Sequence, residues 1–258
     1  ALDLPFDSEE ARNLSKKVQE EIYYHALKAS CELGKDLGCH PSFGETRAAW
    51  GDLQFDLWNI EPSDKEKWNG LKDEITAYGL RNSLLIAIAP TATIASITGA
   101  YECIEPQISN LFKKETLSGE FLQVNPYLVK KLRGLNLWNK QVKDMIKQGD
   151  GSIQHIEGIP DGIKKLFRTV WEVPQKALID MAADRGAFID QSQSMNLFME
   201  NPSIGKLSSM YLYAWKKGIK TSYYLRSRGA TSIRKTTIST TKEVACSLEN
   251  PESCESCS

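Results

Sequence analysis

A helix-rich mixed α/β fold follows from three features of the sequence. The first is the uncharged run Leu84-Leu85-Ile86-Ala87-Ile88-Ala89, which ends at Pro90. A short, continuous apolar run reads as a strand buried on both faces, and proline, having no N–H to give a ladder, stops it. The second is the stretches on either side, which carry apolar residues at helical spacing. The third is two later runs, 188–194 and 219–226, which read as further inner strands, the last rich in Tyr and Thr.

In chain order, Asp7-Ser8-Glu9-Glu10 starts a helix, with Asp7 and Glu10 at capping-box spacing. Leu14, Val18, Ile22, Ala26 and Ala29 define its apolar face, and Gly34 or Gly38 ends it. His40 to Trp58 reads as loop, broken by Pro41, Gly44 and Gly51. Ser63 caps a second helix through Tyr78, burying Trp68, Leu71 and Ile75, with Gly79 closing it. After Pro90, Ile94 to Thr98 forms a short helix that Gly99 ends. Leu117 to Phe121 reads as a turn. Helices are expected from Asn125-Pro126 to Leu132, from Asn139 to Ile146, after Pro160 and after Pro174. Ser203 caps another through Lys217, with Ile204, Leu207, Tyr211, Ala214 and Trp215 as its buried stripe and Gly218 as its end. Beyond Gly229 the run ATSIRKTTISTTKE has few large apolar groups and reads as flexible linker.

The bulk numbers exclude several classes. The 258 residues suit one or two domains, and a net charge of −1 gives no reason to expect nucleic acid or an anionic membrane as partner. No apolar run is long enough to span a bilayer, and the N-terminus has neither the basic region nor the apolar core of a signal peptide. The chain opens without Met directly into helix, so it is expected to be a piece of a longer chain or one partner of a split protein. Its six cysteines do not form a secreted disulfide pattern, which makes the cytoplasm the default location.

Two stretches carry chemistry of their own. Strand, small-residue turn and helix start (Pro90, Thr91, Ala92, Thr93, Ile94) can aim backbone N–H groups at an anion, with two threonine hydroxyls beside them. The same pattern also fits a buried strand and an ordinary turn. At the C-terminus, Cys254 and Cys257 form a Cys-x-x-Cys pair suited to thiol–disulfide exchange on a mobile arm. With Cys246 they could instead supply three thiolates to zinc, but no nearby residue offers the fourth ligand. Tyr223-Tyr224 fits either packing on the two faces of a strand or single-electron transfer between phenols. Neighbours on a regular strand point to opposite faces, so ring stacking here requires irregular backbone.

RNSLLIAIAPTATIASITGAYECIEPQISNLF, LSGEFLQVNPYL, FIDQSQSMNLFM, KTSYYLRSRGA and the cysteine tail occur in one order. That series resembles the C-terminal portion of the large, catalytic subunit of class I ribonucleotide reductases, over nearly all of Asp52 to Ser258. The resemblance implies part of the second half of a ten-stranded α/β barrel over residues 1–229, then a flexible redox tail over 230–258. It implies diphosphate binding by Pro90 to Ile94, mostly through backbone N–H groups. Ile94 lacks the hydroxyl that some relatives carry there, and Ser222 stands where many have two residues. It implies radical relay through Tyr223 and Tyr224, and re-reduction through Cys254 and Cys257 by thioredoxin or glutaredoxin.

The family's thiyl loop reads Asn-x-Cys-x-Glu. Cys103 and Glu105 copy its spacing, but Tyr101 replaces the Asn, and Cys103 reads as a small buried residue. The thiyl loop, the active-site cysteine pair and the regions binding ATP and dNTP effectors would then lie on the remainder of the large subunit. The radical would come from a metal-containing small subunit, with neither metal nor cofactor held by this chain, and the chain alone would be inactive. A non-catalytic thiol-carrying adaptor and a free-standing phosphate-binding α/β module are the alternatives.

Overall fold

The computed structural model describes residues 2–91, 93–116 and 119–228, without the side chains of 96 and 112–123. Helix α1 (Glu9–Leu37) is capped by Ser8, whose Oγ accepts the Ala11 N–H at 3.1 Å. Asp7, the expected cap, pairs instead with Arg168. The buried face is also rotated from the expected one: Tyr23, Leu27 and Cys31 point inward, while Val18 is 50% exposed. The cause is polar. Glu20 is buried because Oε1 accepts the Trp68 Nε1–H at 3.0 Å and the Ser63 N–H at 2.7 Å, and a hydrogen-bonded carboxylate can turn inward.

The loop to Trp58 contains two short 3-10 turns and α2 (Gln54–Leu57), which buries Phe55. Ser63 is engaged by Glu20, so Asp64 caps α3 (Lys65–Tyr78), accepting the Lys67 N–H at 3.0 Å. Trp68, Leu71 and Ile75 are buried as expected. The Trp68 ring is the hub of the main core, with Tyr23, Tyr24, Phe55 and Phe188 centroids within 4.7–6.3 Å. The C-termini of α1 and α3 approach closely, and a Cβ on Gly79 would lie 2.5 Å from Cys39 Cβ in a backbone of φ +78°.

The run 84–90 is extended but not buried on both faces, and Leu84 is 54% exposed. Among the described residues it has one neighbouring strand segment, 190–194. Helix α4 (Ile94–Thr98) follows as expected. The expected turn at 117–121 proves to be part of a hairpin, β1 (Leu111–Thr116) antiparallel to β2 (Gly119–Val124), with Thr116 opposite Gly119. Residues 117 and 118 lie outside the description. Charged residues in both strands hide the alternation that would reveal them. Then come α5 (Pro126–Gly134), α6 (Lys140–Gln148) and α7 (Asp161–Leu166). Asn125 and Asn139 cap the first two, and Leu128, Leu132, Val142, Ile146, Ile153 and Ile156 form a separate core.

Helix α8 (Gln175–Gly186) packs on α1 and on α9 (Ile204–Lys216), which lies between the two-residue strands β3 (Leu197–Phe198) and β4 (Leu225–Arg226). Ser203 caps α9 as expected; of the expected stripe Ala214 is buried and Leu207 packs beside it, but Met210 joins them, while Ile204 and Trp215 are 86% and 71% exposed. The rotation suits a buried bond, Tyr213 Oη donating to Asp180 Oδ1 at 2.6 Å, which turns Tyr213 towards α8.

Replacing Gly79 by Ala should cost about 3 kcal/mol, from overpacking and a left-handed φ together, read as a lower urea midpoint. Asp180 supplies a second test. Burial opposes its ionisation, yet the bonds from Lys176 and Tyr213 outweigh it and lower its pKa. A carboxylate that binds protons more weakly when folded adds stability above its ordinary pKa of about 4 and loses it as pH falls through the lowered folded value. Tyr213→Phe should therefore lose stability at neutral pH and show a shallower acid decline than the unaltered chain, measured as urea midpoint against pH.

Candidate functional site

Three extended segments lie side by side and parallel. In the first, Ile88 donates its N–H to the Ser192 carbonyl at 3.0 Å and accepts the Ser194 N–H at 2.9 Å, which pairs Ile88 with Gln193. Asp190 anchors the start of this pairing, its carboxylate accepting the N–H groups of Leu85 and Ile86, both at 2.8 Å. The opposite edge of the middle segment faces the third: Tyr223 N–H reaches the Met195 carbonyl at 2.7 Å, Leu197 N–H the Tyr224 carbonyl at 2.8 Å, and Met199 N–H the Arg226 carbonyl at 2.9 Å. A tight bond from Met195 N–H to the Gln193 carbonyl, 2.9 Å, kinks the middle segment between the two ladders.

This arrangement fixes where the expected site residues lie. Pro90 is two residues past Ile88, and Tyr223 is bonded to the residue two past Gln193. Turn and phenols are thus both tied to the middle segment, from opposite edges of it. In the turn, Thr91 has φ +50°, unusual for a β-branched residue. Such an outlier persists only where its surroundings enforce it. The first bond of α4 runs from Ala95 N–H to the Thr91 carbonyl at 3.0 Å, so the helix itself makes no use of the N–H groups of Thr93 and Ile94. Both residues are exposed. Ala92, Cys254 and Cys257 lie outside the described residues.

The tyrosines form a close, tilted pair. Their ring centroids are 4.0 Å apart and tilted by 50°, and Tyr223 Oη donates to Tyr224 Oη at 3.2 Å. The third strand is shorter than expected: residues 219–224 are not regular strand, and only Leu225–Arg226 is. That irregularity puts neighbouring rings on one side, where they meet tilted rather than stacked. The bond to Tyr224 raises the Tyr223 pKa. Both rings are about half exposed, at 47% and 53%.

The family profile described as "Ribonucleotide reductase, barrel domain" matches residues 1–225. This chain belongs to the ribonucleotide reductase barrel-domain family. It is 49% identical over 258 residues to the ribonucleoside-diphosphate reductase large subunit of vaccinia virus (strain Copenhagen), covering 100% of this chain and 33% of that protein. To the large chain from Schizosaccharomyces pombe it is 43% identical over 298 residues, covering 100% of this chain and 37% of the relative. Among solved structures, the class Id ribonucleotide reductase alpha subunit of Actinobacillus ureae superposes with a TM-score of 0.67 at 30% identity, over 88% of this chain and 36% of that one. The chain spans about a third of the length of these relatives. No helix among the described residues is long and apolar enough to cross a membrane.

Within this reductase barrel piece, the Cys103 loop carries Tyr101 two residues before the cysteine rather than an asparagine. An asparagine does reach it, but from the middle segment: Asn196 gives its N–H to Glu105 Oε1 at 2.7 Å and its Nδ2–H to Oε2 at 3.2 Å. Both carboxylate oxygens are thereby engaged. Cys103 is half-buried, and burial, then the charges of Glu105 and Glu102, push its thiol up to about 11. Sequence reasoning missed Asn196, Asp190 and Lys220. Asp190 alone gave a signal, as a polar residue at the far end of an apolar run.

At pH 8, iodoacetamide should modify exposed Cys39 far faster than Cys103, whose thiolate fraction there is about one in a thousand. Peptide mass spectrometry reads the ratio, and equal rates would refute this account of the Cys103 loop.

Proposed function

We propose that this chain is the part of a ribonucleoside-diphosphate reductase large subunit that holds the substrate's diphosphate, relays the radical and restores the active-site thiols. The observation that carries the reading is the pair Tyr223–Tyr224, in ring contact and joined oxygen to oxygen at 3.2 Å, which shares a three-segment frame with the Pro90 turn. Adjacent phenols in contact can exchange an electron between rings and a proton between oxygens.

The reaction replaces the C2′ hydroxyl of a ribonucleoside diphosphate by hydrogen. The hydroxyl leaves as water, and two thiols supply two electrons and become a disulfide. Pro90, Thr91, Ala92, Thr93 and Ile94 would hold the diphosphate, chiefly through backbone N–H groups, the donor geometry suited to an anion at a helix start. Tyr223 and Tyr224 would pass the radical from the metal-containing small subunit towards a cysteine on the remainder of the large subunit. Cys254 and Cys257 would reduce the resulting disulfide by thiolate exchange and be reduced in turn by thioredoxin or glutaredoxin. ATP and dNTP effectors would bind the remainder of the subunit. The segment 230–258, proposed as a redox tail following a barrel unit of residues 1–229, lies outside the described residues. The cytoplasm, where thiol reductants operate, is the proposed setting.

Tyr223→Phe tests the reading in the intact large subunit combined with its small subunit. Phe keeps the ring and removes the oxidisable hydroxyl, so turnover should fall to background while diphosphate binding is retained. Wild-type turnover would overturn the relay and favour a packing role. Turnover by the purified 258-residue chain, given small subunit and reductant, would overturn the assignment of the radical cysteine to other polypeptide.

A further inference from the structure

The side chain of Lys220 lies between the two halves of the site. It follows Gly218, which ends α9 with φ +81°, and precedes the tyrosine pair by three residues. Its ammonium lies 3.0 Å from the Ile189 carbonyl, 2.9 Å from that of Asp190 and 2.8 Å from that of Gln191. A fourth oxygen, Gln54 Oε1 at the start of α2, lies at 3.0 Å. Three successive carbonyls cannot converge in regular strand, where they alternate in direction. The backbone at 189–191 is therefore bent around this one cation.

The bend matters at both ends. Asp190, whose carbonyl Lys220 holds, is the residue whose carboxylate fixes the N–H groups of Leu85 and Ile86 and so starts the segment that ends in the Pro90 turn. On the other side, Lys220 is the first residue of the stretch to be tied to the middle segment. Thr221 Oγ1 then donates to the Gln193 carbonyl at 3.2 Å, and Tyr223 N–H to Met195. Burial keeps the lysine below its ordinary pKa, with only Asp190 pulling the other way.

We propose that Lys220 is a positioning residue that sets the tyrosine pair at its level against the Pro90 segment, by gathering the carbonyls of residues 189 to 191 onto one ammonium. Its importance for catalysis rests on the relay reading above. Its effect on the geometry of the pair does not. No other described side chain bonds both Gln54 and the bend, so removing the ammonium leaves the three carbonyls without their shared donor and frees the start of the stretch 220–224, whose later residues keep their own bonds to the middle segment.

The test uses the full chain with ring-labelled tyrosines, the two signals assigned through Tyr223→Phe and Tyr224→Phe. In Lys220→Met, the ring-to-ring NMR cross peak of the pair should be lost and the Tyr223 phenol should titrate in the ordinary tyrosine range, with helix content unchanged by circular dichroism. Thr221→Val removes a hydroxyl from the same stretch but leaves the ammonium, and should keep the cross peak. A Lys220→Met chain that retains both signatures overturns the proposal. So does one that fails to fold, because Lys220 would then serve the fold at large. The relay is judged separately by turnover of Tyr223→Phe, so either idea can fail alone.

Discussion

Parallel neighbours cannot be joined by a tight turn; each must come from elsewhere in the chain. That constraint shapes this protein. The segment 84–90 and the middle segment 190–199 are separated by about a hundred residues, and the middle segment reaches β4 only after α9. Part of the intervening chain has a core of its own, around Leu128, Leu132 and Ile146, while α8 packs on α1. Only a few hydrogen bonds, clustered at Ile88, Asp190, Met195 and Leu197, bring the distant pieces into register. The tyrosine pair and the Pro90 turn have a defined relation because both are bonded to the same middle segment.

Local signals were legible in the sequence. Asn125-Pro126, Asn139, Ser203, Gly79 and Gly218 mark helix ends where the structure has them, because caps and stops depend on residues within a turn or two. Helix faces were less legible. Val18 and Ile22 are apolar, yet Glu20 and Ser30 turn inward, since each finds a partner that sequence spacing cannot show. The same holds for α9, where Tyr213 meets Asp180. Apolar periodicity identifies a helix, but when two faces are both partly apolar, polar pairing decides the rotation.

The site divides the same way. Tyr223 and Tyr224 are conspicuous as residue types, and contact between neighbouring rings required irregular backbone, which is found, though the rings are tilted rather than stacked. Lys220 gave no signal. A lysine after a helix-ending glycine reads as a solvated charge, and only the bend at 189–191 gives it four oxygens to meet. Cys103 and Glu105 show the converse. Their spacing copies a radical loop, yet Asn196 occupies both carboxylate oxygens and the thiol is held far from ionisation. Spacing gives which residues are near in sequence, while the hydrogen bonds decide what each can do.

The exposure of the run 84–89 bears on the proposed function. Strands of a parallel barrel are covered on both faces and paired on both edges, and so they read as continuous apolar runs. Here the run has that sequence, but Leu84 is 54% exposed and only one edge meets a described neighbour. An open apolar edge invites pairing with whatever strand is available. Leu14 and Val18 of α1, unused by the main core, line a cleft of about 680 Å³ together with Ile88, Tyr101 and Glu105. Relatives in which this barrel piece makes up about a third of the chain have further polypeptide with which to cover such surfaces. Leu14, Val18 and Leu84 are thus apolar residues that the local core does not use.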